Sequence, residues 1–181
     1  MEHKAWHHFL TITQHKLLVM QNCFRVGLFK QGLRHELSKY SPAEFLTGVH
    51  YYQGDRSPNA AEREEKGYSS AWLHHKGRNK HHFEYWIDFS RTSQGIAGAK
   101  MPVNYLVEMV MDRMAACKVY RGKDYTDASA WECYQRERPY LSSAMHTETK
   151  AELEKILIML KQRGEKTTFS YLRKLLKKGN Y

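Results

Sequence analysis

Apolar residues near the start of the chain recur every three or four positions, the spacing of one face of an α-helix. The residues that follow this spacing are Phe9, Ile12, Val19 and Cys23. They predict a first helix from about Ala5 to Val26. His15 shares the side of this helix that carries Ile12 and Val19, and this side is predicted to be buried.

Further helices are predicted along the rest of the chain. One begins at Ser41-Pro42, because serine is a favoured N-cap, proline suits the first helical position and Glu44 completes a capping box. It should reach about Tyr52. The other predicted helices span about 36–40, 60–65, 68–75, 81–87, 102–119, 128–137, 149–163 and 168–178. Residues 54–59 and 90–100 are predicted to be loops.

These segments predict an all-α fold, since runs of β-favouring residues are short and do not alternate. The length of 181 residues fits one domain. Its core should occupy about residues 5–120, followed by a C-terminal helical extension at about 125–181 that ends in a pair of amphipathic helices. The apolar side of the last helix is formed by Phe169, Leu172, Leu175 and Leu176.

The composition argues against a membrane or secreted protein. The longest apolar run, Ile156 to Leu160, is far shorter than the ~20 residues that a membrane span requires. The N-terminus lacks the basic start and apolar stretch of a secretory signal. The three cysteines form no C-x-x-C pair, which predicts free thiols. We therefore expect a cytoplasmic protein without a membrane partner.

The net charge of +10 is concentrated near the C-terminus, where residues 150–181 contain nine Lys or Arg and three Glu. This charge fits the solvent side of the amphipathic helices. No zinc finger, recognition helix or Gly-aromatic RNA motif accompanies it. A nucleic-acid partner is therefore compatible with the sequence but not favoured.

Histidines are concentrated in one short segment. Four of the eleven histidines, His74, His75, His81 and His82, fall within nine residues, on either side of a turn that contains glycine. Imidazole is the commonest side-chain ligand of transition metals. The segment therefore predicts a metal site, with a solvated polar helix–loop–helix as the alternative.

Helical spacing indicates which of these histidines point inward. His75 lies three residues after Trp72, and His82 lies four residues before Trp86. Both should share a face with a tryptophan, where an unpaired polar ring would be costly. His75 and His82 are therefore the favoured ligands. The helix register leaves His81 and Glu84 open as alternatives, and His74 is a further possible ligand.

Other polar residues also lie at positions predicted to be buried. Besides His15, Asp112 lies on an otherwise apolar helix face and needs a compensating partner. His35 and Glu36 are adjacent, so on a helix their side chains point about 100° apart. Both can bind metal only between two metals or at a helix end. Glu108 shares the face of Asp112 and either supports the ligands or packs as an ordinary surface residue.

The order of these residues resembles the H…HD…H…H…D pattern of the HD-domain superfamily of metal-dependent phosphohydrolases, which is an all-helical fold. Residues 35–45 and 72–84 also look like an uncharacterised bacterial family with the motifs H-D-x-S-K-x-S-P-x-E-F and W-x-H-H-x-x-x-N-x-H-H-x-E. The resemblance covers about residues 8–120. The bacterial family brings no known activity.

The superfamily resemblance implies a set of metal ligands. They are His15, His35 and Asp112 for a first metal, His75 and His82 for a second, and Glu36 as the bridge. Lys39 would lie near the substrate phosphate. One departure matters: the superfamily has aspartate where this chain has Glu36, and the extra methylene changes the bridging geometry.

The function that the resemblance implies is metal-dependent hydrolysis of a nucleotide or another small phosphate ester. One or two divalent ions of Mn, Fe, Co, Ni or Zn would be the cofactor. Glu36 and Lys39 are the predicted catalytic residues, and Arg78 and Asn79 are further candidates for contacts with ligand or substrate. The alternatives are a di-iron oxygenase of the same superfamily and a non-catalytic metal- or nucleic-acid-binding protein.

Overall fold

The computed structural model describes the backbone of residues 2–90, 95–141 and 144–181. Within these ranges the fold is all-α, as the hydrophobic pattern predicts, with one small two-stranded sheet. The helices are α1 (Glu2–Val26), α2 (Phe29–Arg34), α3 (Pro42–His50), α4 (Pro58–Lys66), α5 (Ser70–Lys76), α6 (Val103–Arg121), α7 (Ser129–Leu141) and α8 (Thr147–Lys178). Short 3₁₀ turns occur at Leu37–Tyr40, Phe83–Trp86 and Gly122–Asp124.

The prediction of a loop at residues 90–100 was wrong for Ser90 and for residues 95–98, which belong to a β-hairpin. Strand β1 (Ile87–Ser90) pairs antiparallel with β2 (Gly95–Gly98), and residues 91–94 lie outside the described ranges. Strands of four residues are too short to show an alternating pattern. Their pairing with each other, which a single segment does not reveal, creates the sheet.

Two predicted helices also differ from the structure, and one helix was missed. The segments 36–40 and 81–87 form only the 3₁₀ turns Leu37–Tyr40 and Phe83–Trp86. Helix α2 was not predicted, since six residues give too few turns for an apolar periodicity to appear. All three differences lie beside the candidate ligands and affect which of them point inward.

Helix α6 is the centre of the core. Its fully buried residues occupy one broad face, wider than the ~100° stripe of a surface helix. They are Leu106, Val107, Val110, Met111, Met114 and Ala115. Helices α1, α7 and α8 pack against α6. The polar residues of α6 that face α1 are therefore held inside the protein.

The C-terminal helical pair is present as predicted. The backbone of Gly164 (φ 72°) is not helical and divides α8 into two helices, near the predicted gap at 164–167. Both halves bury their apolar side, through Leu153, Ile156, Leu157 and Leu160 before the break and Phe169, Leu172 and Leu175 after it. Among the described residues, no helix combines the length and apolar character that crossing a membrane would require.

Candidate metal centre

Histidines and carboxylates from distant parts of the chain meet between α1 and α6. α1 carries one of them, the turn after α2 carries two, the α5 end and its following turn carry three, and α6 carries one. The residues are His15, His35, Glu36, His75, His81, His82 and Asp112. They form two clusters, each with four ligand-type atoms within 4.8 Å of one another.

The first cluster consists of His15, His35, Glu36 and Asp112. His15 Nε2 lies 2.9 Å from Asp112 Oδ1 and 3.0 Å from Glu36 Oε2. His35 Nε2 lies 3.5 Å from each of the same two oxygens. Two imidazoles and two carboxylates therefore face one small space.

The second cluster consists of Glu36, His75, His81 and His82. His75 Nε2 lies 3.0 Å from Glu36 Oε1 and 2.8 Å from His82 Nε2. The Nε2 atoms of His81 and His82 lie 3.8 and 3.9 Å from Glu36 Oε1. Three imidazoles thus point at the second oxygen of the carboxylate that the first cluster also uses.

Glu36 connects the two clusters and has an unusual backbone. Its Oε2 faces the first cluster and its Oε1 the second, while the residue is only 3% exposed. Its φ of 50° is the only positive value at a non-glycine position in the described ranges. Such a conformation costs of order 1–3 kcal/mol and is concentrated at functional sites. The turn after α2 is therefore held in a strained form that directs the carboxylate inward.

Several buried atoms of the centre lack a hydrogen-bond partner. They are the Nε2 atoms of His15, His35 and His81 and Oε2 of Glu36. Each lies close to other polar atoms, including Lys39 Nζ at 2.5 Å from Glu36 Oε2, but none of these contacts has the geometry of a hydrogen bond. Burying polar groups in this way is costly unless something satisfies them. Imidazole and carboxylate donors in this arrangement fit a divalent transition metal.

Glu108, on α6, holds one histidine of each cluster from behind. Its Oε1 lies 2.9 Å from His35 Nδ1 and 3.3 Å from His81 Nδ1. Gln31 Nε2 donates to the other oxygen at 2.8 Å. A carboxylate that engages Nδ1 leaves Nε2 free to face a metal and fixes the ring orientation.

Glu44, on α3, contacts the Nδ1 atoms of two α5 histidines in the same way. Its oxygens lie 2.7 Å from His75 Nδ1 and 2.6 Å from His74 Nδ1. The predicted capping box was wrong on this point, since the side chain of Ser41 makes no capping bond and Glu44 turns to the histidines. Sequence reasoning missed this role because only the packing of α3 against α5 brings the groups together.

The carboxylates of the first cluster are held in their charged form. Burial would raise the pKa of Glu36, but Lys39 and the neighbouring histidines hold it well below its usual range. Burial and the charge of Glu36 would raise the pKa of Asp112, but the adjacent His15 and His35 rings hold it well below its usual range. Anionic carboxylates are the form that binds a cation.

The histidines of the second cluster differ in their proton affinity. Burial and repulsion from His81 and His75 hold the pKa of His82 well below its usual range, so its ring is neutral. Burial would lower the pKa of His81, but its interactions with Glu108 and Glu36 raise it to about 10. A positive charge on a ring such as that of His81 therefore balances the charge of the buried carboxylates. A bound cation would supply this positive charge instead of the proton.

A cavity of about 810 Å³ adjoins the centre, and His15, Glu36, His82 and Asp112 form part of its wall. This volume lies within the range of about 300–1,000 Å³ that is typical of small-molecule sites. Lys39, Arg63 and Arg113 add positive charge to the wall, and Trp72 and Tyr120 add aromatic surface. Lys39 Nζ also contacts Glu36 Oε2 at 2.5 Å, and Arg113 pairs with Glu137.

The remaining candidates from the sequence lie around the centre instead of within the clusters. His74 binds Glu44, and Glu84 lines the cavity. Arg78 donates to the carbonyl of His74 at the surface. Asn79 donates to Ser38 Oγ and to the carbonyl of His75, which ties the turn after α5 to the turn after α2.

His81, only an alternative by helical spacing, is 1% exposed and belongs to the second cluster, because its segment is not helical.

Residues 4–159 match a family described as a family of unknown function (DUF5662). The match covers most of the chain, and the protein belongs to this family. Neither a curated protein nor a solved structure matches it.

Proposed function

We propose that this protein is a metal-dependent phosphohydrolase that acts on a nucleotide or another small phosphate ester. The observation that carries the proposal is the pair of clusters that share Glu36 beside a cavity with cationic walls. The order of the residues also resembles the HD-domain superfamily, although a fold-level resemblance does not determine an activity.

Each group of the site would have a defined task in this reaction. Divalent metals held by the two clusters would lower the pKa of a water molecule and offset charge on the phosphoryl oxygens. Glu36 would position both clusters relative to each other. Lys39 and Arg63, which face the cavity, would bind the non-reacting phosphate oxygens. Trp72 and Tyr120 would pack against the apolar part of the ester.

A di-iron oxygenase is the second candidate. The observation that favours it is the second cluster, in which three imidazoles accompany a single carboxylate. Nitrogen-rich sites suit iron as well as zinc, copper and nickel. The two candidates differ in the metal found in the purified protein and in whether phosphate is released.

Metal reconstitution tests the hydrolase. Protein without a His-tag is stripped with a chelator, and Mn²⁺, Co²⁺, Ni²⁺ or Zn²⁺ is added back. Phosphate release is then measured for a panel of mononucleotides and a model phosphoester. We expect at least one metal to restore turnover. Equal activity in the stripped and reconstituted forms would exclude the metal mechanism.

Four substitutions connect the activity to the clusters. His35→Ala and Asp112→Ala should remove metal and turnover together, because both side chains belong to the first cluster. Lys39→Ala should keep the metal and weaken turnover. His74→Ala is the matched control, since this histidine adjoins His75 but lies outside both clusters, and it should keep the metal.

Glu36→Asp restores the superfamily's residue and should preserve or raise metal occupancy. If metal-loaded protein shows no turnover on the whole panel, the hydrolase proposal is wrong. A coloured, paramagnetic iron form that consumes oxygen would then support the oxygenase. Metal bound without either activity would support a non-catalytic metal-binding protein.

A further inference from the structure

Helix α1 has a second apolar face, on the side away from the core. One face carries the buried residues Ile12, His15 and Val19. The other, which we call the outer seam, is formed by Trp6, Leu10, Thr13, Leu17, Met20 and Phe24. Trp6 is 59% exposed, Leu17 46%, Leu10 44% and Phe24 36%, while Thr13 and Met20 are half-buried.

The spacing of the outer seam is that of a coiled coil. Its residues follow one another at steps of four, three, four, three and four. Alternating steps of three and four keep apolar residues on the stripe where one helix meets another. The exposed fractions show that the described part of this chain leaves the stripe largely uncovered.

The charges around α1 favour a partner of apolar character. The chain carries 29 Lys and Arg residues, but none lies on the outer seam, and Gln14 and Gln21 flank it. Lys16 is engaged with the carbonyls of Leu33 and His35. A polyanionic partner would be bound by basic side chains, so this face does not fit a nucleic acid.

The uncovered apolar surface is large enough for a stable interface. It continues from the seam onto Phe9, which stacks on Trp6 at 5.8 Å, and onto Phe29, whose ring lies 5.3 Å from Phe24. Leu33 lies one turn after Phe29 on α2 and is also exposed. The seven exposed members of this surface present on the order of 700 Å² if each leaves ~100 Å² uncovered. This is close to what one partner contributes to a standard interface and exceeds the ~300–600 Å² patch of a typical monomer.

We propose that the outer seam pairs antiparallel with the outer seam of a second copy of this chain. The steps of the seam read the same in both directions, so an antiparallel copy matches an apolar residue to an apolar or neutral one in each layer. The facing pairs are Trp6 with Phe24, Leu10 with Met20, and Thr13 with Leu17. A two-fold axis on the side of the outer seam, at the level of residue 15 along α1, generates this self-complementary contact.

The proposal is independent of the proposed function. His15 points into the protein from the opposite face of α1, and the dimer would leave the cavity wall that it helps to form unchanged. The test of the dimer therefore does not depend on whether the proposed function is correct.

Molar mass measured by light scattering during gel filtration tests the association. The full chain at micromolar concentration should have twice its monomer mass of 21.4 kDa. Leu17→Lys should give a folded monomer, because the lysine replaces a half-exposed seam residue and circular dichroism should keep its helical signal. Ile96→Lys is the control, since Ile96 on β2 is 72% exposed and lies outside the seam. A monomeric wild type, a dimeric Leu17→Lys or a monomeric Ile96→Lys would each overturn the proposal.

Cysteine cross-linking tests the antiparallel register, on a Cys133→Ser background. Leu10→Cys combined with Met20→Cys should give a covalent dimer on mild oxidation, because these positions face each other. Leu10→Cys alone should not, since its two copies would lie ~15 Å apart along the helix axis. Cross-linking through Leu10→Cys alone, or none in the double variant, would exclude this register.

Discussion

Glu108→Gln should weaken metal binding at both clusters. The carboxylate engages His35 Nδ1 at 2.9 Å and lies 3.3 Å from His81 Nδ1, so it contacts one histidine of each cluster. Glutamine keeps the shape but removes the charge. It also carries two N–H donors, which must face either the histidines or Gln31 Nε2, itself a donor. Either orientation loses a hydrogen bond, and the loss of charge weakens the contact with both rings.

The expected loss of metal affinity follows from these two histidine contacts. Removing the partner behind a ligand histidine typically lowers metal affinity by about 10–100-fold. This corresponds to about 1.4–2.7 kcal/mol. Because Glu108 supports two histidines, we expect the upper part of this range.

Competition with a chromophoric chelator measures this affinity, with Zn²⁺ or Co²⁺ as the probe. Glu62→Gln is the matched control, because Glu62 is another buried helical carboxylate but accepts from Ser69 and Ser70 instead of histidine. It should bind metal like the wild type. If Glu108→Gln binds metal as tightly as Glu62→Gln, the idea that Glu108 orients the ligands is refuted.

Three other predictions concern stability. Gly48→Ala should lower the free energy of unfolding by about 1–3 kcal/mol, because a Cβ would lie 2.2 Å from Nε2 of the buried His8; denaturant titration should show it, and an unchanged midpoint would contradict it. Burial would raise the pKa of Glu62, but hydrogen bonds from Ser69, Ser70 and the Ala71 backbone lower it to about 2. Its stabilising contribution should be present above pH ~4.5 and disappear as the pH falls towards 2. Titration with urea at several pH values should show that Glu62→Gln removes this acid-sensitive part, and an identical pH dependence in both proteins would argue otherwise. Finally, stripping divalent metal should lower Tm, because the clusters would keep buried polar atoms without partners; equal Tm values in thermal scans with and without chelator would count against a bound metal.

The sequence by itself determined the helical class and most helix positions. The periodicity in α1 and the apolar composition of α6 are local properties, since residues three and four apart share a face whatever the rest of the chain does. The same reasoning selected His15, His75 and Asp112, because a polar residue on a buried face needs a partner. The structure brings all three into the clusters.

Only the tertiary structure decided which of these side chains contact one another. Helical spacing preferred His82 to His81, but the segment is not helical there and both face Glu36. The capping pattern assigned Glu44 to its own helix, while packing of α3 on α5 turns it towards His74 and His75. Periodicity likewise does not show that the outer seam is exposed, because only the tertiary structure shows that the opposite face of α1 packs in the core. Pairings of this kind depend on residues far apart in the chain, and local periodicity carries no information about which distant surfaces will meet.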